Sequence, residues 1–552
     1  MRSWAVGAAL ILCADLAAAP PTYARHAMVA AQESHATDAG VAVLKAGGNA
    51  VDAAVAVGFA LAVTHPVAGN IGGGGFMLVR MADGRSTFID FRERAPSHAS
   101  HDMYLDAAGK PTDDSLAGYR ASGVPGSVRG FEYAHKKFGR ASWKDVVQPA
   151  ITLAIDGVPV SYGMALMFRE DAKLLAQFPE SKRIFLSSKP GDKLVQPELA
   201  RTLTRIRDQG ARDFYEGETA HLIADAMRAH GGIITLDDLK QYAVVERAPL
   251  KGRYRDYEIL TAPPPSSGGI GILQMLGMLA GSGYEKSGAA SAATIHYVAE
   301  VMRRFYADRS EYIADSDFVH VPIATLLNAR YLNSRRASID LQHATSSDAV
   351  GPGKFDPAHE SLETTHYNVV DAEGNAVAVT YTLNGGFGSG VTVPGAGFLL
   401  NNEMDDFSAK PGTPNMFGLV QGEANAIEPG KRPLSSMTPT ILLRDGKLYM
   451  VLGAPGGGRI INGVLQVLLN VVDFGMNAQQ AIDAPRFHHQ WRPDKLYLER
   501  GISPGTAELL KARGHIVEYD GSVARVEAIR VLQGRLEGGS DGRGYDGKAG
   551  GF

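Results

Sequence analysis

Residues 360–384 read ESLETTHYNVVDAEGNAVAVTYTLN, and this stretch decides the fold. The side chains follow a strand-like alternation in 366–370 and again in 376–383. The segment between the two runs is short and contains glycine, which predicts a β-hairpin. Two threonines, Thr364 and Thr365, open the first strand. Threonine is a common strand residue, so the hairpin alone does not show whether either one has a chemical role.

The rest of the chain predicts alternating helices and strands around this hairpin. Residues 35–46 and 52–65 have the patterns of two helices separated by Gly47-Gly48-Asn49, and the second is apolar nearly all round, as a helix buried against a sheet would be. Strand patterns follow in GNIGGGGFMLVR and STFIDFRERAP. Further helical patterns include residues 144–155, 198–207 and 461–482. Such an alternation favours an α/β fold built in layers.

Composition and charge narrow the range of partners. The chain has 552 residues, of which 45% are hydrophobic and 21% charged, as in an ordinary globular protein. Its formal net charge of -4 gives no electrostatic reason to expect nucleic acid or anionic lipid. No internal apolar stretch approaches the length of a membrane span, so we predict no integral membrane segment. A small-molecule substrate fits this composition better.

The first 24 residues have the layout of an export signal. An arginine near the start precedes an apolar run over residues 5–13, and small residues lead to Ala19 and Ala24. We predict cleavage after one of these two alanines and a secreted, periplasmic location. The single cysteine, Cys13, lies inside this segment, so the mature chain is expected to use neither a disulfide nor a thiol nucleophile.

Three sequence features suggest common chemistries, but none has the residues or the arrangement that its chemistry requires. The glycine run Gly72–Gly75 lacks both the Lys-Ser/Thr ending of a phosphate loop and the GxGxxG spacing of a dinucleotide site, so we interpret it as a tight turn. His488 and His489 are neighbours in a predicted strand and point to opposite faces, which disfavours a shared metal ion. The pair in KRPLSSMTP has no nucleophile elbow and no obvious acid and histidine partners, so a serine triad is not predicted.

The threonine at the start of the hairpin offers a different chemistry. A hydroxyl needs an adjacent base, and an N-terminal threonine carries one in its own α-amine, whose unperturbed pKa is about 8. Thr364 acquires such an amine only if the bond between Glu363 and Thr364 is cut.

The chain resembles the γ-glutamyltranspeptidases, which are N-terminal nucleophile hydrolases, over nearly its whole length. Ten motifs carry the resemblance, in the order AGGNAVDAAVA, GNIGGGGFML, DFRERAP, PPPSSGG, TTHYNVVD, GNAVAVTYTLN, NNEMDDFS, KRPLSSMTPT, GAPGGGRI and APRFHHQW. The resemblance implies a four-layer αββα sandwich and a single inactive chain that cuts itself before the threonine of TTHY. Residues 25–363 would then form a large subunit and residues 364–552 a small one, and the two stay together as a heterodimer in one αββα unit.

The resemblance also assigns roles to ten residues. Thr364 is the nucleophile, Thr382 is the hydroxyl that hydrogen-bonds it, and Gly456 and Gly457 form the oxyanion hole. The remaining six surround the α-carbon of the substrate, where Arg92, Ser435 and Ser436 hold the carboxylate, and Asn384, Glu403 and Asp406 surround the amine. The planar fork of an arginine suits the first task because it can grip a carboxylate with two hydrogen bonds.

The reaction implied by the resemblance is hydrolysis or transfer of the γ-glutamyl group of glutathione and similar amides. Thr364 would carry the acyl group until water or an amino-acid or dipeptide acceptor takes it, with no metal or organic cofactor. Two departures from the family pattern are Gly385-Gly386 after Asn384 and Phe417 in a loop that often carries a tyrosine over the site.

Three alternatives remain open. The first two are enzymes of the same fold, either an acylase for glutaryl β-lactams or an acyltransferase for poly-γ-glutamate, and the third is a non-catalytic secreted binding protein. Asp406 argues against the glutaryl substrate, because an acyl group without an α-amine leaves a buried carboxylate unpaired.

Overall fold

The protein is described here by a computed structural model that covers residues 19–352, 364–410, 413, 416 and 421–552. Most of the predicted export signal lies outside these residues, and so do Glu363 and Phe417. The strands of the described part, in chain order, are β1 (Thr22–Ala24), β2 (Met28–Ala31), β3 (Gly74–Arg80), β4 (Ser86–Phe91), β5 (Val158–Pro159), β6 (Lys193–Leu194), β7 (Val245–Arg247), β8 (Leu250–Tyr254), β9 (Tyr257–Thr261), β10 (Thr365–Val370), β11 (Ala376–Thr382), β12 (Thr440–Arg444), β13 (Lys447–Gly453), β14 (Phe487–His488), β15 (Leu496–Glu499), β16 (Val517–Asp520), β17 (Glu527–Leu532), β18 (Arg535–Gly539) and β19 (Lys548–Gly551).

Helices connect these strands and cover the sheets. The α-helices of the described part are α1 (Ser34–Lys45), α2 (Ala50–Thr64), α3 (Ser127–Phe138), α4 (Trp143–Asp156), α5 (Tyr162–Glu170), α6 (Ala172–Leu175), α7 (Pro179–Phe185), α8 (Pro197–Gln209), α9 (Ala211–Glu216), α10 (Glu218–Ala229), α11 (Leu236–Lys240), α12 (Gly268–Leu279), α13 (Ala292–Tyr312), α14 (Ile323–Leu326), α15 (Ala329–Ala337), α16 (Arg459–Val472), α17 (Ala478–Asp483) and α18 (Pro504–Ala512). Short 3₁₀ turns occupy Asp113–Ser115, Tyr119–Ala121, Tyr284–Ser287, Glu403–Asp406 and Glu423–Asn425. None of the described helices is long and apolar enough to cross a membrane.

Two seven-stranded sheets form the centre of the molecule. One has the order β1-β18-β17-β13-β12-β9-β8 and the other β19-β2-β10-β11-β3-β4-β7. Strands β10 and β11 of the second sheet face β13 and β17 of the first. Helices α1 and α2 cover the outer face of the second sheet, while α12 and α16 cover the first. The predicted αββα sandwich is therefore confirmed.

The local predictions hold where the periodicity was strong. Helices α1 and α2 match the two predicted from 35–46 and 52–65, and every residue of α2 is buried because the helix lies between the sheet and helices α1 and α4. The helix predicted over 461–482 is instead two helices, α16 and α17. Gly475 adopts φ +68° between them, and the side chain of Asn477 caps the start of α17, so the chain ends one helix and begins another.

The opening hairpin forms as predicted and lies in the middle of its sheet, between β2 and β3. All of its strand residues are buried, because one face meets helices and the other meets the opposite sheet. Tyr367 donates to a carbonyl of α2, whereas Asn368 donates to the carbonyl of Glu527 in β17. The alternation in the sequence therefore separates two interior faces, and the face of His366 and Asn368 is the one between the sheets.

Candidate active site

The two threonines assigned to catalysis lie at the same end of the central hairpin. The register of β10 and β11 pairs Thr365 with Tyr381, and one further step along it places Thr364 opposite Thr382. The Thr382 hydroxyl accepts a hydrogen bond from the backbone N–H of Asn384 at 2.8 Å. Asn384 itself has φ +78°, a turn conformation that asparagine tolerates better than most residues. This turn ends β11 at the site.

The glycine run packs the neighbouring strand tightly against this end of the hairpin. A Cβ atom on Gly73 would lie 2.0 Å from the carbonyl oxygen of Thr382, so no larger residue fits there. Asn70 holds the same carbonyl through its side-chain amide at 2.8 Å and accepts from the N–H of Gly73 at 3.0 Å. The run therefore acts as the tight turn that its sequence indicated.

A small cavity between the two sheets gathers most of the residues that the sequence assigned. Its volume is about 20 Å³, which is room for roughly one water molecule, so a larger ligand requires the lining side chains to move apart. Nine of the ten assigned residues line it, namely Thr364, Thr382, Asn384, Gly457, Arg92, Glu403, Asp406, Ser435 and Ser436. Gly456 precedes Gly457 in the chain and is not among the lining residues.

Arg92 is the central charge of the cavity. It follows strand β4, is 1% exposed, and bridges Glu403 and Asp406, with 2.5 Å between Nη2 and the Asp406 carboxylate. Its remaining donors reach the carbonyls of Pro433 at 3.2 Å and Leu434 at 3.3 Å. The guanidinium is thus already paired with protein carboxylates. A substrate carboxylate would have to displace one of them or share the guanidinium with them.

Adjacent aspartates in NNEMDDFS have different partners. The Asp406 side chain turns toward Arg92, whereas the Asp405 side chain accepts from the Ser115 hydroxyl at 2.7 Å and the Met416 N–H at 2.8 Å. Burial raises the pKa of both aspartates, and that of Asp405 reaches about 7. For Asp406, Arg92 opposes this rise. Only Asp406 is placed to meet a ligand in the cavity.

The serine pair of KRPLSSMTP is fixed by the distant PPPSSGG turn. Ser267 donates to the Ser435 carbonyl through both its N–H and its hydroxyl, each at 2.8 Å. Arg309, on α13, then connects the two segments by donating to the Ser267 hydroxyl at 2.8 Å and to the Ser436 hydroxyl at 2.9 Å. Arg309 also lines the cavity, although no sequence motif points to it.

Glycines at the start of α16 complete the opposite wall. Gly456 and Gly457 have φ values of +136° and +53°, and Gly458 precedes the first helical residue. The carbonyl of Gly458 accepts a hydrogen bond from the Tyr306 hydroxyl. Because the free N–H groups and the positive end of the helix dipole gather at a helix N-terminus, this wall suits a negatively charged oxygen.

Other features of the described residues do not compete with this site. A larger cavity of about 550 Å³, lined by Tyr119, Arg120, Glu180 and His230 among others, contains none of the ten assigned residues. The His488 ring lies between the side chains of Asn462 at 2.7 Å and Gln490 at 2.6 Å. Within the described part of the chain, no group of three or more His, Cys, Asp or Glu residues is arranged to hold a metal ion.

Comparison with known proteins gives consistent matches. The profile of a family described as Gamma-glutamyltranspeptidase matches residues 36–551. The chain is 50% identical to the glutathione hydrolase proenzyme of Escherichia coli (strain K12), with 96% of this chain and 93% of that protein covered. Among solved structures, a cephalosporin acylase from Bacillus halodurans matches with a TM-score of 0.86 at 26% identity, covering 100% of this chain and 99% of that one. A gamma-glutamyltranspeptidase from Helicobacter pylori matches with a TM-score of 0.57 at 43% identity, over 58% of this chain and 93% of that one.

Proposed function

Because the chain belongs to the gamma-glutamyltranspeptidase family, we propose that it is a self-cleaving γ-glutamyl hydrolase and transferase that acts on glutathione and other γ-glutamyl amides. The observation that carries this proposal is the position of Thr364. Thr364 immediately precedes the central strand β10 and lines one cavity together with Arg92, Asp406 and Gly457. A nucleophile, two opposite charges and a helix N-terminus therefore converge on one small space.

The proposed reaction begins once the bond before Thr364 has been cut. The new α-amine takes the proton of the Thr364 hydroxyl while the oxygen attacks the γ-amide carbonyl. Backbone N–H groups at Gly457 and the start of α16 stabilise the negative oxygen that forms. The amine then passes its proton to the leaving nitrogen, which departs and leaves a γ-glutamyl ester on Thr364. Water or an acceptor amine attacks this ester and restores the hydroxyl.

Recognition of the glutamyl group is proposed to use both charges on its α-carbon. Arg92, with Ser435 and Ser436, would bind the carboxylate, and Asp406, with Asn384 and Glu403, would bind the ammonium. The pairing of Arg92 with Asp406 supports this division, because a zwitterion can replace an internal ion pair with two new ones and leave neither charge unpaired. A glutaryl group has the carboxylate but no α-amine, so it offers Asp406 no ammonium to pair with. Identity is 26% to the named acylase structure and 38% to an acylase proenzyme of Pseudomonas sp. (strain SE83), against 50% to the glutathione hydrolase. The acylase alternative is therefore less well supported.

Self-cleavage would yield residues 25–363 and 364–552 as interleaved subunits. The strands β10 and β11 after the cut lie between β2 and β3, which precede it. Separation of the two products would break ladders on both sides of the hairpin, so we propose a stable heterodimer. We also propose export to the periplasm, on the basis of the N-terminal sequence and the bacterial relatives.

Paired threonine variants test the proposal. Purified wild-type protein is expected to give two bands on a denaturing gel, with a smaller fragment that begins Thr-Thr-His-Tyr, and to release nitroaniline from γ-glutamyl-p-nitroanilide faster when a dipeptide acceptor is present. Thr364→Ala should remain one folded chain without activity. Thr365→Ala is the matched control, because it removes the same atoms from the next residue and should still be cut. A Thr364→Ala chain that cleaves at this bond, or wild type that stays whole and inactive, would refute the proposed nucleophile.

A further inference from the structure

A buried carboxyl group beside the cavity has no part in the reaction proposed above. Glu93 follows Arg92, is 0% exposed, and has a carboxyl oxygen 3.8 Å from Nη1 of Arg92. No other residue in the described part of the chain donates a hydrogen bond to either of its carboxyl oxygens. A buried carboxylate without donors is strongly disfavoured, so this arrangement requires a physical explanation.

The neighbouring Glu403 also has a buried carboxyl oxygen that lacks a hydrogen-bond donor. One of its oxygens, Oε1, accepts from Arg92, while the buried Oε2 has no donor among the described residues. The Glu93 and Glu403 carboxyl groups are neighbours, since Nη1 of Arg92 donates to Glu403 Oε1 and lies 3.8 Å from a Glu93 oxygen, and a hydrogen bond between them would satisfy both. Two ionised carboxylates cannot form that bond, because both are acceptors only, whereas a single proton supplies the missing donor.

We propose that Glu403 is a neutral carboxylic acid whose proton on Oε2 is donated to the Glu93 carboxylate, and that Glu93 is the positioning residue that keeps it neutral. The charges at the cavity then balance, since Arg92 and Arg309 face two carboxylates, Glu93 and Asp406. If all three carboxyl groups were ionised, the cavity would carry one excess negative charge. A balanced cavity suits a substrate group that is itself a zwitterion.

The surroundings of the pair support this assignment. Burial raises the pKa of Glu403 well above its usual range, with Glu93 and Asp406 adding to the effect and Arg92 opposing it. Burial also raises the pKa of Glu93 to about 7. Behind Arg92, the hydroxyl of Tyr242 donates to the Arg92 carbonyl, and burial holds the pKa of this tyrosine well above its usual range, so it stays neutral. On the α13 side, the charged group is Arg309, which acts on Asp406.

Because of the shared proton, substrate binding should depend on pH through a group of the enzyme, in addition to the titration of the substrate itself. As pH rises and the pair loses its proton, the cavity gains one negative charge beside Arg92, which weakens the binding of the substrate carboxylate. The Glu93→Gln variant removes the shared proton without changing the net charge at neutral pH. Its amide can donate to an ionised Glu403, so this variant has no proton of this kind to lose. This step rests on the proposed function, because it needs a γ-glutamyl substrate.

Infrared difference spectroscopy tests the protonation without requiring any turnover. Spectra of the purified protein at pH 7 should contain the C=O stretch of a neutral carboxylic acid that disappears in both Glu93→Gln and Glu403→Gln. Glu527→Gln is the matched control, since Glu527 is another fully buried carboxyl with a raised pKa, located on β17, and its loss should remove a different band. If either cavity variant keeps every acid band of the wild type, the shared proton does not exist.

Kinetics test the link to the substrate. The KM for γ-glutamyl-p-nitroanilide should rise between pH 7 and 9.5 more steeply in wild type than in Glu93→Gln. We expect the ratio of KM at pH 9.5 to KM at pH 7 to be at least about fivefold larger in wild type than in the variant. Titration of the substrate ammonium affects both proteins equally and cancels in this comparison. Parallel profiles would refute the role of the pair in recognition. A protein that turns over no γ-glutamyl compound would instead refute the proposed function and leave the infrared result standing.

Discussion

Replacement of Arg92 by lysine separates the charge of this residue from its shape. The guanidinium bridges Glu403 and Asp406 and reaches two backbone carbonyls, at Pro433 and Leu434. A lysine ammonium keeps the charge but has one nitrogen in place of three, so it cannot span both carboxylates and also face a ligand. We expect the loss of one charge-assisted hydrogen bond to the substrate carboxylate, or about 2 kcal/mol, which corresponds to about a 30-fold fall in kcat/KM.

The assay is steady-state hydrolysis of γ-glutamyl-p-nitroanilide by matured enzyme. Most of the fall should appear in KM, because the carboxylate contact exists before the reaction as well as in the transition state. Arg304→Lys is the matched control. Arg304 is also fully buried and is bound by the Glu300 carboxylate at 2.7 Å and the Ser338 carbonyl at 2.7 Å, but it does not line the cavity. This control should lower thermal stability and leave kcat/KM within about twofold of wild type.

Maturation decides how the result is interpreted. Both arginine variants should still yield two subunits on a denaturing gel, because neither replacement touches Thr364. An Arg92→Lys enzyme that is fully cut and keeps wild-type kcat/KM would show that Arg92 does not bind the substrate. An equal loss in Arg92→Lys and Arg304→Lys would show that the loss reports destabilisation alone.

Two further substitutions test the proposed ammonium partner, Asp406, and the proposed oxyanion hole at Gly457. Wild type should hydrolyse γ-glutamyl-p-nitroanilide at least about a thousandfold more efficiently than glutaryl-p-nitroanilide. Asp406→Asn should narrow this gap by slowing only the γ-glutamyl reaction. Comparable wild-type rates on the two compounds would instead favour an acylase. Gly457→Ala should lower kcat by about 100-fold, because a side chain at φ +53° forces the backbone donors to move. Gly475→Ala carries a similar backbone strain at φ +68° with open space around it, so an equal fall in kcat there would contradict the role of Gly457.

The sequence predicts the central hairpin and its flanking helices because their information is local. An alternation of two residues or a period near 3.6 is set by near neighbours in the chain, and α1, α2, β10 and β11 all follow from it. The layered class follows from the order of these elements. The break between α16 and α17 does not follow from periodicity, because Gly475 and Asn477 fall within an otherwise helical run.

Arg309 and Glu93 could not be found in this way, since their environment comes from distant segments. Arg309 reaches Ser436, which is 127 positions away, and on the sequence alone it is one of several arginines along a helix. Glu93 stands next to a recognised arginine, yet its carboxyl group is unusual only because the fold buries it and brings Glu403, from a segment more than 300 residues later, to the same arginine. A linear pattern identifies residue types and spacings, whereas burial and charge pairing depend on the folded contacts.

The strand pairing of the hairpin is compatible with the proposed cleavage before Thr364. The ladder from β10 to β2 begins only at Tyr367, while the ladder to β11 already includes Thr365. The first residues of the strand are thus held on one side by β11 and have no pairing with β2 on the other. A new N-terminus at Thr364 would keep its position from the β11 side, since Thr365 stays paired with Tyr381. The proposed nucleophile would therefore stay beside the cavity that Thr364 lines in the uncut chain.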